Sequence, residues 1–137
     1  MTGASAELPA GLLNEIVFDD RGLVPAIAQQ HDTGEVLMMA WMNREAIEES
    51  LRTGQACYWS RPRAALWRKG ETPGQVPALL ELRLDCDGDT VLLLVDQTGV
   101  ACHTGRRSCF FRAVRDGKLI TIAEVVTDPA ELYADKD

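Results

Sequence analysis

An acidic turn between two apolar segments is the feature that most constrains the fold of this chain. Residues 78–85 and 90–97 are rich in Leu and Val, and Asp85-Cys86-Asp87-Gly88-Asp89 lies where they meet. A glycine in a short polar stretch between two apolar segments is typical of a β-hairpin. The uninterrupted apolar run 91–95 indicates a second strand that is buried on both faces. The sequence therefore predicts a hairpin with a charged turn.

The remaining segments predict a strand-rich, mostly antiparallel α+β fold with one substantial helix. Strands are expected at residues 23–29, 35–42, 56–60, 78–85, 90–97, 110–114 and 118–125. Asn43 is a good N-cap and Gly54 a good C-terminal stop for a helix over residues 44–52. Residues 61–77, with three prolines and two glycines, predict a long loop. A short helix is expected over residues 128–133.

Composition limits the size and the class of the protein. The chain has 137 residues, 46% of them hydrophobic, and a formal net charge of −7. This length suits one domain, which we expect over residues 15–137 behind a flexible leader at residues 1–14. The negative charge disfavours binding to a nucleic-acid backbone. No signal peptide or membrane span is recognisable, so we expect a cytoplasmic protein with reduced cysteines.

Three of the four cysteines lie in polar surroundings that suit metal binding. Cys86 lies in the acidic turn, whereas Cys102 and Cys109 frame a short segment rich in charge and glycine. Thiolates are ligands suited to zinc. Three thiolates without an obvious fourth ligand leave a position for water, which is typical of a catalytic zinc site. Cys57 lies in an apolar stretch and is predicted to be a buried core thiol.

The aspartates of the acidic turn suggest a second metal. Carboxylates suit magnesium or calcium, and alternation along an extended segment places Asp85 and Asp87 on one side and Cys86 on the other. One short segment could therefore serve two metals, with Asp89 as a further carboxylate. The alternative is a solvated acidic turn, although that leaves the clustering of like charges unexplained.

The segment between Cys102 and Cys109 carries groups that suit catalysis. Its cysteines are separated by six residues, which is longer than the spacing of a zinc knuckle and is weak evidence alone. His103 supplies an imidazole, a group that suits proton transfer. Arg106 and Arg107 could lower thiol pKa values or hold a phosphate. The alternative is a pair of core thiols that flank a turn.

Residues 60–72 interleave cations, an aromatic ring and hydroxyl groups. Arginine and backbone N–H groups hold phosphate well, and tryptophan can stack on a purine. The candidate substrate-binding residues of this segment, in addition to Arg106 and Arg107, are Ser60, Arg61, Arg63, Trp67, Lys69 and Thr72. A plain basic surface loop is the alternative. Trp41 and Trp59 lie in apolar strands and are interpreted as core residues.

Five segments in order resemble the phosphoribosyl-AMP cyclohydrolase family of histidine biosynthesis. They are Gly34-Glu-Val-Leu-Met-Met-Ala-Trp-Met-Asn-Arg-Glu-Ala, Tyr58-Trp-Ser-Arg, Leu66-Trp-Arg-Lys-Gly-Glu-Thr, Arg83-Leu-Asp-Cys-Asp-Gly-Asp and Cys102-His-Thr-Gly-Arg-Arg-Ser-Cys-Phe. The resemblance covers about residues 22–114. The chain departs from the family's pattern at Pro62, Pro73 and Gln75, where the family typically has Ser, Ser and His.

The resemblance implies an activity, two metals and an assembly. Members of the family open the adenine ring of phosphoribosyl-AMP by zinc-dependent hydrolysis of the N1–C6 bond. The resemblance also implies an intertwined homodimer. The implied zinc ligands are Cys86 of one subunit with Cys102 and Cys109 of the other, and the implied magnesium ligands are Asp85, Asp87 and Asp89. His103 is our candidate proton shuttle. We expect a monofunctional enzyme, and the alternative is a small non-catalytic module stapled by zinc.

Overall fold

A four-stranded sheet and one capped helix organise the chain. The computed structural model describes residues 8–68, 77–128 and 130. Its elements are α1 (Leu12–Glu15), β1 (Val24–Gln30), β2 (Val36–Met42), α2 (Arg44–Thr53), β3 (Tyr58–Ser60), β4 (Ala65–Trp67), β5 (Ala78–Leu84), β6 (Val91–Asp96), β7 (Arg112–Arg115) and β8 (Lys118–Thr121). This is the strand-rich α+β class that the sequence predicts.

The central sheet has the strand order β2-β1-β6-β5. The pairs β1–β2 and β5–β6 are antiparallel, and β1 pairs with β6 in parallel. The predicted hairpin around Gly88 is therefore confirmed. Buried and half-buried residues alternate along β1 and β6, so each strand presents one face to the core and the other face is only partly covered.

Helix α2 packs on the core face because its ends and its apolar side are both well specified. The Asn43 side chain accepts a hydrogen bond from the Ala46 N–H at 2.8 Å, and Gly54 ends the helix in the left-handed conformation. Ser50, which is buried, bonds the backbone of Cys57 through its hydroxyl group. Cys57 is fully buried, and burial raises the pKa of its thiol. The prediction of a core thiol is confirmed.

The predicted loop over residues 61–77 is wrong in its first part. Residues 65–67 form β4, which pairs with β3 in a short antiparallel ladder. Ala64, at φ 50°, provides the left-handed turn between the two strands, although it is not a glycine. The rings of Tyr58 and Trp67 contact each other at a centroid distance of 5.3 Å. This contact stabilises a pairing that the proline content of the segment does not suggest.

Short elements form near the two ends of the chain. Leu12 and Leu13 belong to α1 and pack against the core, while the boundary of the predicted leader stays a prediction. The predicted strands at residues 110–114 and 118–125 are shorter in the structure, as β7 and β8. The predicted helix at residues 128–133 lies mostly outside the described residues. No helix in the described ranges has the length and apolar character that a membrane crossing requires.

Strands β7 and β8 form a separate two-stranded sheet. Apolar side chains along this hairpin are exposed, with Val114 at 74% and Leu119 at 62% of full exposure. A two-stranded hairpin with an apolar surface is marginally stable by itself in water. The hairpin therefore forms an arm with an exposed apolar surface.

Candidate active site

The predicted zinc ligands lie at opposite ends of one strand. Cys86 lies in the turn before β6, and Cys102 lies in the loop that follows this strand. Because β6 has six residues, it separates the two cysteines by a strand about 20 Å long. In the described ranges, the chain has no group of three or more His, Cys, Asp or Glu side chains placed to hold a metal ion. The chain thus brings Cys102 and Cys109 into one loop and keeps Cys86 apart.

The acidic turn is built by backbone hydrogen bonds and held by the N-terminal segment. The Asp85 side chain accepts from the Asp89 N–H at 3.0 Å, and the Asp85 carbonyl accepts from the Gly88 N–H at 3.1 Å. Gly88 has φ 76°, and its carbonyl accepts from the Val17 N–H at 2.7 Å. A Cβ at Gly88 would lie 2.3 Å from the carbonyl oxygen of Glu15, so only glycine fits here.

Asp85 and Asp89 in this turn affect each other's pKa through a hydrogen bond and through their charges. Desolvation acts to raise the pKa of Asp85, but hydrogen bonds from Asp89 and the turn backbone outweigh it and lower that pKa. The hydrogen bond and the negative charge of Asp85 raise the pKa of Asp89. The Cys86 sulfur lies 3.6 Å from an Asp87 oxygen. The turn therefore concentrates acceptor oxygens and one thiol in a small exposed region, and the binding of magnesium there stays a prediction.

The second cysteine loop is closed on itself. The Ala101 N–H donates to the Arg107 carbonyl at 3.0 Å, and the Cys102 N–H donates to the Arg106 carbonyl at 3.1 Å. Cys102 is buried, with its sulfur 3.0 Å from the Thr104 hydroxyl oxygen. His103 is exposed at the tip of this loop. The loop therefore presents an imidazole to solvent beside a buried sulfur.

Cys109 is fixed by the edge strand β2. Its N–H donates to the Leu37 carbonyl at 2.7 Å, and the hydroxyl of the neighbouring Ser108 donates to the Val36 carbonyl at 2.7 Å. The proximity of Cys109 contributes to the raised pKa of Tyr58, for which burial is the larger cause. The fold thus places Cys109 where the core meets the loop.

The two arginines of the loop make contacts within the chain. Arg107 donates to the carbonyl of Gln97 at 2.8 Å and to the side-chain oxygen of Gln30 at 2.8 Å. Arg106 donates to the Ala123 carbonyl at 2.9 Å, and its guanidinium lies 4.1 Å from the centroid of the Phe111 ring. Both side chains hold the loop against its surroundings. Their predicted contact with substrate phosphate stays a prediction.

Gly105 provides a test of how tightly this loop is packed. It has φ 87°, and an added Cβ would lie 1.9 Å from the Thr127 carbonyl oxygen. We expect Gly105→Ala to lower the free energy of unfolding by roughly 3 kcal/mol, because backbone strain and overpacking add. Urea unfolding at a fixed protein concentration measures this change in the free energy of unfolding.

Gly117 is the matched control for this substitution. It has φ 75° in the turn between β7 and β8, where an added Cβ would have nothing within 4 Å. Gly117→Ala should therefore lower the free energy of unfolding only through the strain of the left-handed backbone, by about 1 kcal/mol. Equal losses in the two variants would contradict the packing of Gly105 against Thr127.

An aromatic and cationic groove lies beside β2, β3 and β4. It is an open cavity of about 680 Å³, within the size range of small-molecule sites. Among its lining residues are Trp41, Trp59, Ser60, Arg61, Arg63 and Trp67. The structure thus brings four of the predicted substrate-binding residues together. Of the other four, Lys69 and Thr72 lie outside the described residues, and Arg106 and Arg107 lie in the loop between Cys102 and Cys109.

The interpretation of Trp41 and Trp59 as core residues is wrong. Both are only half-buried, and both line the groove. Alternation along β2 could have predicted that Trp41 is exposed, because its neighbours Ala40 and Met42 are buried and point to the other face. The guanidinium carbon of Arg61 lies 4.8 Å from the centroid of the Trp41 ring. The guanidinium of Arg61 therefore lies over the exposed face of the Trp41 ring.

The groove and the acidic turn lie at the same end of the central sheet. Trp41 is opposite Pro25 in the β1–β2 register, and Ala26, the next residue, is opposite Val91. Val91 begins β6 directly after the acidic turn. Trp41 and the start of β6 are thus about 10 Å apart across two strand spacings. The loop of Cys102 and Cys109 belongs to the other end.

The comparisons with known proteins identify a family. Residues 38–111 match the family model of phosphoribosyl-AMP cyclohydrolase. The chain is 70% identical over 122 residues to a phosphoribosyl-AMP cyclohydrolase of Rhodospirillum centenum, which covers 89% of this chain and 92% of the relative. The chain belongs to the phosphoribosyl-AMP cyclohydrolase family. A phosphoribosyl-AMP cyclohydrolase of Alkalilimnicola ehrlichii is 63% identical over 131 residues, with 96% of this chain and 92% of the relative covered.

The cyclohydrolase match includes every part of the site described above. The three cysteines, the acidic turn, His103 and the groove all lie within residues 38–111. The resemblance noted on the five sequence segments is therefore confirmed at the level of the family.

Proposed function

We propose that this enzyme opens the adenine ring of phosphoribosyl-AMP by hydrolysis of the N1–C6 bond, as a step of histidine biosynthesis. The observation that carries the proposal is the family match over residues 38–111, because that segment holds both candidate metal-binding elements and the groove. The groove presents cations and indole rings, which suit a phosphorylated purine. Location in the cytoplasm stays a prediction.

A zinc ion held by Cys86 of one subunit and by Cys102 and Cys109 of a second subunit is part of this proposal. The donor chemistry fits, because three thiolates with an open position are a catalytic zinc pattern. The separation of Cys86 from the other two along β6 supports a site completed by a second copy. When bound, zinc lowers the pKa of a water ligand towards neutrality and so supplies a nucleophile.

The hairpin arm of β7 and β8 supports the homodimer. Its exposed apolar residues include Val114, Leu119 and Ile120. The segment that follows β8 contacts the cysteine loop, since the Gly105 carbonyl accepts from the N–H groups of Val126 and Thr127. Apolar surface of this kind marks an interaction site. A second copy that covers the arm would lie next to Cys102.

The proposal also gives roles to the other residues of the site. His103, exposed at the loop tip beside Cys102, moves protons to and from the reacting groups. Ser60, Arg61 and Arg63 bind substrate phosphate, and the same role is proposed for Lys69 and Thr72. Asp85, Asp87 and Asp89 would hold magnesium, whose charge offsets their mutual repulsion.

Turnover of phosphoribosyl-AMP by the purified protein, followed with its metal content, tests the proposal. We expect ring opening together with about one zinc per subunit. A zinc-stapled module without activity is the competing function. Bound zinc without any ring opening in a well-folded dimer would favour that module and would contradict the proposed enzyme function.

A further inference from the structure

The face of Trp41 in the groove already binds a planar cation. The Arg61 guanidinium lies over the ring at 4.8 Å from its centroid, within the range of a cation–π interaction. Both side chains have room to move, because Arg61 is exposed and Trp41 is half-buried. The described lining residues of the groove include no carboxylate that could bind a cation instead. The indole face is therefore the part of the groove that attracts positive charge.

The proposed substrate contains a second planar cation. At neutral pH, substitution at N1 leaves the adenine ring positively charged, whereas the ring of AMP is neutral. Arg61 and Arg63 repel a cationic ring at the rim of the groove, but they attract the phosphates that flank it. A cationic ring with phosphate groups on either side thus matches an indole face beside Arg61 in a groove that Arg63 also lines.

We propose that Trp41 binds the cationic N1-substituted adenine ring in place of Arg61 and so selects this substrate over neutral adenine nucleotides. This inference rests on the proposed function. Two cations do not share one indole face, so Arg61 leaves Trp41 when the ring binds. The released guanidinium is then available for a phosphate of the same ligand. The position of Trp41, at the end of the sheet that carries Cys86, places the ring at the metal-binding end.

Calorimetric binding of two nucleotides to the purified protein tests the proposal. The probes are N1-methyl-AMP, which has a cationic ring, and AMP, which has a neutral ring and the same phosphate. We expect the wild type to bind N1-methyl-AMP more tightly by about 5- to 30-fold, which corresponds to a cation–π energy of about 1–2 kcal/mol. Trp41→Leu should bring the ratio of the two dissociation constants close to one.

Two further variants make the ratio specific to the indole of Trp41. Trp59→Leu removes another indole of the groove, over which no cation lies among the described contacts, and it should weaken both nucleotides without changing their ratio. Trp41→Phe keeps a smaller aromatic face and should retain part of the preference, which gives a second test if Trp41→Leu folds poorly.

The outcomes separate this proposal from the proposed function. A wild-type ratio near one, or an unchanged ratio in both Trp41 variants, would overturn the role of Trp41 even if phosphoribosyl-AMP is turned over normally. Absence of turnover in the wild type would instead contradict the proposed function, and the binding ratio would still be measured.

Discussion

Replacement of Cys102 or Cys109 with Ala is expected to remove zinc and activity together. Each thiolate is one of three proposed protein ligands, so its loss leaves a site with too few ligands to retain the ion. Even outer-shell partners of metal ligands contribute about 10- to 100-fold to affinity or activity, so the loss of a ligand should exceed 100-fold in turnover. Metal analysis of the purified variants, with turnover measured on the same samples, checks the prediction.

Cys57→Ala is the matched control for the ligand variants. Cys57 is fully buried and bonded through its backbone to Ser50, and its pKa is raised by burial, so its thiol belongs to the core. This variant should lose some stability and keep its zinc. Normal zinc content in Cys102→Ala would contradict the ligand assignment, and loss of zinc in Cys57→Ala would favour a closed structural site.

A loss of about 10²- to 10⁴-fold in turnover is expected for His103→Ala, with zinc content and fold unchanged. A positioned proton-transfer group contributes a factor of this size. His103 is exposed at the tip of a loop whose backbone is fixed by hydrogen bonds of Ala101 and Cys102, so truncation of its side chain leaves that loop intact. Steady-state turnover and metal content measured together check the prediction.

The chain has two histidines, and the second is a natural control. His31 is exposed at the turn after β1, where it faces Asp96 across 3.9 Å. Such surface pairs contribute little to stability, so His31→Ala should keep both turnover and fold. A near-normal rate in His103→Ala would assign the proton transfer to another group.

The parts of the fold that could be predicted are those specified by local chemistry. Asn43 and Gly54 bound α2 as their cap preferences indicate, and the acidic turn joins β5 and β6 as its glycine indicates. The parallel pairing of β1 with β6 could not be predicted, because the two strands are far apart in the chain and no short turn joins them.

The missed features depend on tertiary contacts. β4 follows a left-handed turn at Ala64, a residue without a preference for that conformation, and it is stabilised by the contact of Trp67 with Tyr58. The hydrogen bonds of Arg107 to Gln97 and Gln30 were missed because they depend on how the loop folds back. The strand period could have placed Trp41 on the outer face, but only the structure joins it with Arg61 in one groove.

Complementation between two inactive variants tests most directly the claim that the zinc site is shared between subunits. Cys86→Ala and Cys109→Ala are refolded together, and the heterodimers are isolated by two different affinity tags. If Cys86 meets the other two cysteines across the interface, one site of each heterodimer receives both substitutions and the other receives neither. We expect zinc in that intact site and about half of the wild-type activity per heterodimer. Heterodimers that form but contain neither zinc nor activity would contradict the shared site and would place all three ligands within one chain.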